Sequence, residues 1–138
     1  MKNYFEPDMD ANALRGMSVL SLAHIGDGVY ELLVRSFLCT THTAANNQNL
    51  HRLTVSYVQA TTQAAFVEGL LPHLTEEEAA VYRRGRNAHT HAAPKNATPG
   101  QYARATGLET LFGWLYLSGR RERINELFSI GLEAIHAV

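Results

Sequence analysis

The feature that most constrains this chain is a carboxylate in the middle of an apolar helical pattern. Apolar residues recur at intervals of three and four, which predicts a helix with one buried face, at Leu22, Ile25, Val29 and Leu32. Asp27 interrupts this pattern, and a glycine flanks it on each side. Each glycine inside a helix costs roughly 1 kcal/mol relative to alanine. The flanking glycines therefore suggest that a second helix or a ligand comes close to Asp27.

A second acid interrupts an apolar helical pattern far downstream. Glu109 lies between Gly107 and Gly113 in a run that is otherwise largely apolar. A buried carboxylate without a partner is very costly, and a divalent cation shared by two carboxylates is the simplest remedy. We therefore expect Asp27 and Glu109 to meet and to hold a metal ion. The alternative is two ordinary acids that form salt bridges or face solvent.

Length and start signals indicate an all-α fold of about six or seven helices. The chain has 138 residues, 46% of them hydrophobic, which suits one domain over residues 1–138 with a real core. Thr75 with Glu78 and Thr98 with Gln101 form capping boxes, and Ser18 can cap the helix that contains Asp27. The expected helices span about residues 10–15, 18–38, 47–70, 75–84, 98–118 and 121–137. We expect a flexible N-terminal segment at 1–9 and a basic loop at 86–98.

Basic residues are concentrated in one part of the chain although the net charge is only −1. No acid occurs between Glu78 and Glu109. A basic segment beside an acidic metal site suits binding of a phosphate backbone, whereas the alternative is a solvated basic face. The candidate RNA contacts are Arg83, Arg84, Arg86, Asn87, Lys95, Asn96 and Arg104.

The cellular compartment can be predicted from cysteine usage and hydropathy. Cys39 is the only cysteine, which excludes an intramolecular disulfide and fits a reducing environment. The sequence has no apolar stretch of transmembrane length and no signal-peptide pattern at its start. We therefore expect a cytoplasmic protein that does not enter a membrane.

Several ordered motifs carry a resemblance to a known family. Residues 26–31, Gly-Asp-Gly-Val-Tyr-Glu, resemble the signature helix of the ribonuclease III catalytic domain, and residues 109–117 resemble its second acidic helix. Residues 84–88, 94–96 and 102–106 resemble the Mini-ribonuclease III branch, which consists of the catalytic domain alone. The resemblance covers about residues 14–130, which is nearly the whole chain.

The resemblance implies a Mg²⁺-dependent endoribonuclease that cleaves double-stranded RNA, with Mn²⁺ able to substitute. Asp27 and Glu109 would be both catalytic residues and metal ligands, and Glu31 would be a further ligand or a salt-bridge partner. The family forms homodimers, and its branch matures the 23S ribosomal RNA precursor. Because the sequence leaves no room for a separate RNA-binding domain, affinity would come from the catalytic dimer, the basic loop or a helper ribosomal protein.

Departures from the family pattern leave other readings open. Ala23 and Thr106 stand where larger ribonuclease III enzymes have acids, so the number of metal ions remains open. The same loss supports a rival interpretation, a non-catalytic double-stranded RNA-binding module on the same fold. A second rival is a helical interaction or DNA-binding protein, which would not explain why two acids interrupt apolar helices.

Overall fold

The computed structural model describes residues 1–88 and 96–136, and these residues form seven α-helices and one short 3₁₀ turn at Leu71–His73. The described residues contain no strand, which confirms the all-α prediction. In the same part of the chain, no helix has both the length and the apolar character needed to cross a membrane. The helices are α1 (Ala11–Arg15), α2 (Val19–Thr41), α3 (Asn47–Val58), α4 (Ala60–Leu70), α5 (Glu76–Arg86), α6 (Pro99–Leu117) and α7 (Arg121–His136).

Helix starts follow the predicted capping residues. The Ser18 hydroxyl accepts the Ser21 amide at 3.0 Å, at the start of α2. Before α5, Thr75 Oγ1 accepts the Glu78 amide at 3.1 Å while the Glu78 carboxylate accepts the Thr75 amide at 2.9 Å. A second capping box opens α6 at Thr98. These side chains satisfy amides that have no partner within the helix itself, so local sequence fixes where these helices begin.

The prediction of one continuous helix over residues 47–70 is wrong. Gln59 has extended backbone angles, φ −68° and ψ 151°, and it separates α3 from α4. Side chains of α4 bind carbonyl groups that a continuous helix would have bonded through its own amides. Thr62 Oγ1 donates to the Ser56 carbonyl at 2.6 Å, and Gln63 Nε2 donates to the Val58 carbonyl at 2.8 Å. The break is therefore stabilised by specific hydrogen bonds.

Helix α6 lies at the centre of the protein. It contacts α2, α4, α5 and α7, and apart from Glu109 every residue from Ala105 to Leu115 is buried. Phe112 of α6 joins an aromatic cluster in which the Tyr30 and Phe66 rings lie edge to face, 5.3 Å apart. A helix buried on nearly all sides can include a carboxylate only where the packing leaves an opening or supplies a partner.

The backbones of α2 and α6 touch where the two helices cross. A Cβ added at Gly26 would fall 1.6 Å from the Glu109 carbonyl oxygen, and one added at Gly113 would fall 1.9 Å from the Leu22 carbonyl oxygen. Both glycines are therefore required for the crossing. Gly28 differs, because a Cβ there would meet no atom within 4 Å. The expected close approach beside Asp27 occurs on the Gly26 side.

The N-terminal segment lies along the end of α6 and the start of α7. The Met9 amide donates to the Leu117 carbonyl at 2.8 Å. The Tyr116 hydroxyl donates to the Tyr4 carbonyl, and Glu6 forms an ion pair with Arg121 at 2.9 Å. The flexibility expected for residues 1–9 remains a prediction.

Candidate active site

The helix crossing brings Asp27 and Glu109 together. Gly26 contacts the Glu109 backbone, and the next residue of α2, Asp27, is close enough to raise the pKa of the Glu109 carboxyl group. The two carboxyl groups are close enough to share a hydrogen bond. Asp27 is exposed and Glu109 is partly buried, so the pair lies at the edge of the core with one side open to solvent.

The environment of the pair favours an added positive charge. Burial, a hydrogen bond with Asp27 and the negative charge of Asp27 together raise the pKa of Glu109 to about 8. The neighbouring Gln63 side chain opposes this rise, because its polar amide favours the charged form of Glu109. Two neighbouring carboxylates hold a proton because a second negative charge is unfavourable beside the first. A divalent cation could replace that proton, and carboxylate oxygens are the hard ligands that Mg²⁺ and Mn²⁺ prefer.

The site offers a small number of protein ligands. Within residues 1–88 and 96–136, no three His, Cys, Asp or Glu side chains form a group that could hold a metal ion. Ala23 is buried, and so is Thr106, whose hydroxyl donates to the Tyr102 carbonyl at 3.1 Å. The residues present therefore fit a cation that keeps several water ligands, as Mg²⁺ usually does.

Glu31 is engaged in an ion pair with a neighbour on its own helix. Its carboxylate lies 3.0 Å from Arg35, one turn further along α2. This contact corresponds to the salt-bridge alternative that the sequence left open. A direct role of Glu31 as a metal ligand stays a prediction.

Four of the predicted RNA contacts lie at the end of α5. Arg83, Arg84 and Arg86 are exposed in its last turns, and the exposed Asn87 follows as the C-terminal cap. The Arg86 guanidinium lies over the Tyr82 ring, 5.7 Å from the ring centre, which limits its freedom. The end of α5 thus presents several hydrogen-bond donors to solvent.

The remaining predicted RNA contacts are divided between α6 and the loop. Arg104 of α6 forms an ion pair with Glu68 of α4 at 3.3 Å, and Asn96 is exposed shortly before α6 begins. Lys95 lies outside the described residues, as does most of the loop predicted at 86–98.

A groove beside α5 includes further arginines that the sequence analysis did not select as RNA contacts. Arg84 lines a groove of about 340 Å³ together with Arg15 and Arg120. The Arg120 guanidinium stacks over Trp114, 4.5 Å from the ring centre, and forms an ion pair with Glu77 at 3.0 Å. Arg15 comes from the short helix α1, and only the folded structure shows that it joins this surface.

Gln63 is the polar neighbour of the acidic pair that the sequence did not indicate. Its side chain is 3% exposed, its Nε2 donates to the Val58 carbonyl, and it is close enough to Glu109 to lower the pKa of that carboxyl group. A single glutamine in a helix with many polar residues gives no sequence signal. Gln63 has a special environment only because the helix predicted over 47–70 breaks at Gln59.

An apolar groove of about 540 Å³ lies beside the Asp27 helix. It is lined by one face of α2, the start of α7 and the aromatic residues of the N-terminal segment. Gly28 and Leu32 contribute to it from α2, and the Leu32 side chain is 56% exposed. Because apolar side chains line the groove next to one another, they form a contiguous surface suited to apolar contact.

Comparisons with known proteins agree on one family. Residues 20–120 match the model of the Ribonuclease III domain. A Mini-ribonuclease 3 from Symbiobacterium thermophilum is 48% identical over 116 residues, which cover 84% of this chain and 88% of the relative. A Mini-ribonuclease 3 from Clostridium tetani is 36% identical over 131 residues, 94% of this chain and 87% of the relative.

A solved structure has a similar fold. The X-ray structure of a protein from Fusobacterium nucleatum matches with a TM-score of 0.77 and 28% sequence identity, over 87% of this chain and 95% of that one. The similarity therefore extends over nearly the full length of both proteins. Together with the family match, it shows that the chain belongs to the ribonuclease III family and, within it, to the Mini-ribonuclease 3 group.

Proposed function

We propose that this ribonuclease III family member is a Mg²⁺-dependent endoribonuclease that cleaves double-stranded RNA at the Asp27–Glu109 pair. Family membership supports ribonuclease activity. The observation that carries the metal-dependent mechanism is the meeting of two carboxylates at the glycine crossing, with the pKa of Glu109 raised to about 8. Such a pair is poorly suited to a structural role, because it holds no basic partner of its own among the described salt bridges.

In this proposal Asp27 and Glu109 hold the metal and thereby position it against the substrate. A bound Mg²⁺ would neutralise charge on the phosphate and lower the pKa of an attacking water molecule. The exposed Asp27 lies on the side from which a phosphate can enter, whereas Glu109 is fixed by the packing of α6. Glu31 would join the site only after leaving its ion pair with Arg35.

The basic residues would bind the RNA backbone. Double-stranded RNA is recognised largely through phosphates and 2′-hydroxyl groups, for which arginine, lysine and asparagine are suitable donors. The exposed end of α5 and Asn96 support this role, and Arg104 would act after or alongside its contact with Glu68. Following the family resemblance, we propose the 23S ribosomal RNA precursor as substrate, the cytoplasm as location and a ribosomal protein as helper.

We also propose that the protein acts as a homodimer through the apolar groove beside α2. The helix that carries Asp27 forms one side of this groove. The same helix has two exposed leucines, Leu20 at 52% and Leu32 at 56% exposure. A second copy of this chain would remove these side chains from water. It would also place two carboxylate pairs in one assembly, one for each strand of a duplex.

Cleavage of a labelled RNA duplex tests the proposed activity. The parent protein in Mg²⁺ should cut the duplex, and Asp27→Asn and Glu109→Gln should each lose at least about 100-fold in rate, since each removes a charged ligand. Circular dichroism and sedimentation should first show that both variants fold and assemble like the parent. A parent protein that binds the duplex, yet leaves it and a ribosomal precursor helix intact in Mg²⁺ and Mn²⁺, would establish the binding-module interpretation.

A further inference from the structure

We infer that Gln63 is a positioning residue of the acidic site, which holds the Glu109 carboxylate in place and accepts a hydrogen bond from a cation-bound water molecule. This inference rests on the proposed metal-dependent function and extends it to a third helix, α4. The ligand concerned is a hydrated divalent cation.

The burial of Gln63 requires an explanation. Its neighbours on the inner face of α4 are apolar, including Ala64, Phe66 and Val67, which are at most 4% exposed. Gln63 itself is 3% exposed. A buried side-chain amide is costly unless hydrogen bonds replace those it made with water. A leucine would fill this position without that cost, so packing alone does not account for a glutamine.

The Gln63 side chain lies between the end of α3 and the acidic pair. Its Nε2 donates to the Val58 carbonyl at 2.8 Å, at the last residue of α3. The same side chain is close enough to Glu109 to lower the pKa of its carboxyl group. Gln63 thus links the backbone end of one helix to the acid of another. The link depends on the break at Gln59, because in a continuous helix the backbone would use the Val58 carbonyl.

The oxygen of the same amide has no partner. Gln63 Oε1 is the buried side-chain atom that lacks a hydrogen bond within the described residues. An unsatisfied buried acceptor is costly, because it has lost its hydrogen bonds with water and gained none in return. A water molecule on a hydrated cation could donate to it, and Mg²⁺ keeps several such waters when few carboxylates bind it directly.

Because the site has few acids, metal binding there should depend strongly on the contact with Gln63. Ala23 and Thr106, each one turn before an acid of the pair, carry no charge. With only two carboxylates as direct ligands, the orientation of these carboxylates depends on the polar groups that contact them. Partners of this kind commonly change metal affinity by about 10- to 100-fold when removed.

Metal binding without RNA tests the inference. Mn²⁺ is titrated calorimetrically into the parent protein, Gln63→Leu and Gln63→Met. We expect the dissociation constant to rise about 10- to 100-fold in both variants. Thr54→Val is the matched control, because Thr54 is also buried but its hydroxyl bonds the Leu50 carbonyl within α3. This control should bind Mn²⁺ like the parent.

A kinetic readout separates positioning from a general structural defect. At low Mn²⁺ the Gln63 variants should lose kcat while KM for the RNA duplex stays near the parental value, and high Mn²⁺ should restore cleavage. Gln63→Met keeps the side-chain volume close to that of glutamine, so it serves as the folded variant if Gln63→Leu unfolds.

The outcomes distinguish this inference from the proposed function. Parental Mn²⁺ affinity in a folded Gln63 variant would overturn the inference while leaving the metal-dependent ribonuclease intact. A parent protein that neither binds Mn²⁺ nor cleaves RNA would instead contradict the function on which the inference depends.

Discussion

At the scale of single residues, the acidic pair should bind metal in competition with a proton. The pKa of Glu109 is raised to about 8, chiefly by burial and then by Asp27. Below that pH the Glu109 carboxyl is mostly protonated, and a cation must displace the proton before it can bind. The affinity for a cation should therefore increase as the pH rises toward 8 and level off above it.

This pH dependence can be measured by Mn²⁺ titration between pH 6 and 9. With one proton displaced, the dissociation constant should fall by about tenfold per pH unit below the pKa. Glu109→Gln has no carboxyl at this position, and its residual Mn²⁺ binding should lose most of that slope. An affinity that does not change between pH 6 and 8 would contradict the protonated pair.

At the scale of helices, two glycines on either side of Asp27 should respond oppositely to the same substitution. Gly26→Ala places a Cβ 1.6 Å from the Glu109 carbonyl oxygen, so α2 and α6 must separate. We expect a loss of at least about 1–3 kcal/mol in the free energy of unfolding. The measurement is urea denaturation followed by circular dichroism at a fixed protein concentration.

Gly28→Ala is the matched control on the same helix. Its Cβ would meet no atom within 4 Å, and alanine is favoured over glycine inside a helix by about 1 kcal/mol. We expect this variant to be as stable as the parent or somewhat more stable. Equal destabilisation by the two substitutions would show that the close helix crossing is absent.

Local sequence was sufficient to predict most helices but not the break between α3 and α4. The caps at Ser18, Thr75 and Thr98 are local signals, and the structure has them where they were expected. The extended backbone at Gln59 is different. The hydrogen bonds that stabilise this break come from the side chains of Thr62 and Gln63, in a helix that packs against α6. A tertiary arrangement of this kind has no periodic pattern to reveal it.

The candidate site could be predicted only in part for the same reason. Asp27 and Glu109 stood out because acids are rare within apolar helical patterns. Gln63 and Arg15 did not, since nothing in their local sequence distinguishes them from surface residues. Their positions depend on how α4 packs on α6 and on the groove that Arg15 lines together with Arg84.

At the scale of the whole molecule, the apolar groove predicts an assembly that charge can disrupt. Leu32→Glu would place a carboxylate on the exposed part of the groove, where a second copy of the chain would bury it. Burial of an unpaired charge is strongly unfavourable. Sedimentation velocity should therefore show a dimer for the parent protein and a monomer for Leu32→Glu at micromolar concentration.

The control for this substitution is Leu71→Glu. Leu71 is also an exposed leucine, at 41%, but it lies in the 3₁₀ turn after α4 and does not line the groove. It should leave the assembly unchanged. A parent protein that sediments as a monomer, or a Leu32→Glu variant that remains a dimer, would contradict assembly through this surface.

The central claim, that Asp27 and Glu109 together hold a divalent cation, is tested most directly by anomalous diffraction from crystals grown with Mn²⁺. The account predicts an anomalous peak about 2.0–2.3 Å from an oxygen of each carboxylate, with the remaining ligands supplied by water. If the two carboxyl groups lie together but no peak occurs between them at saturating Mn²⁺, or if the metal binds elsewhere, the claim is contradicted.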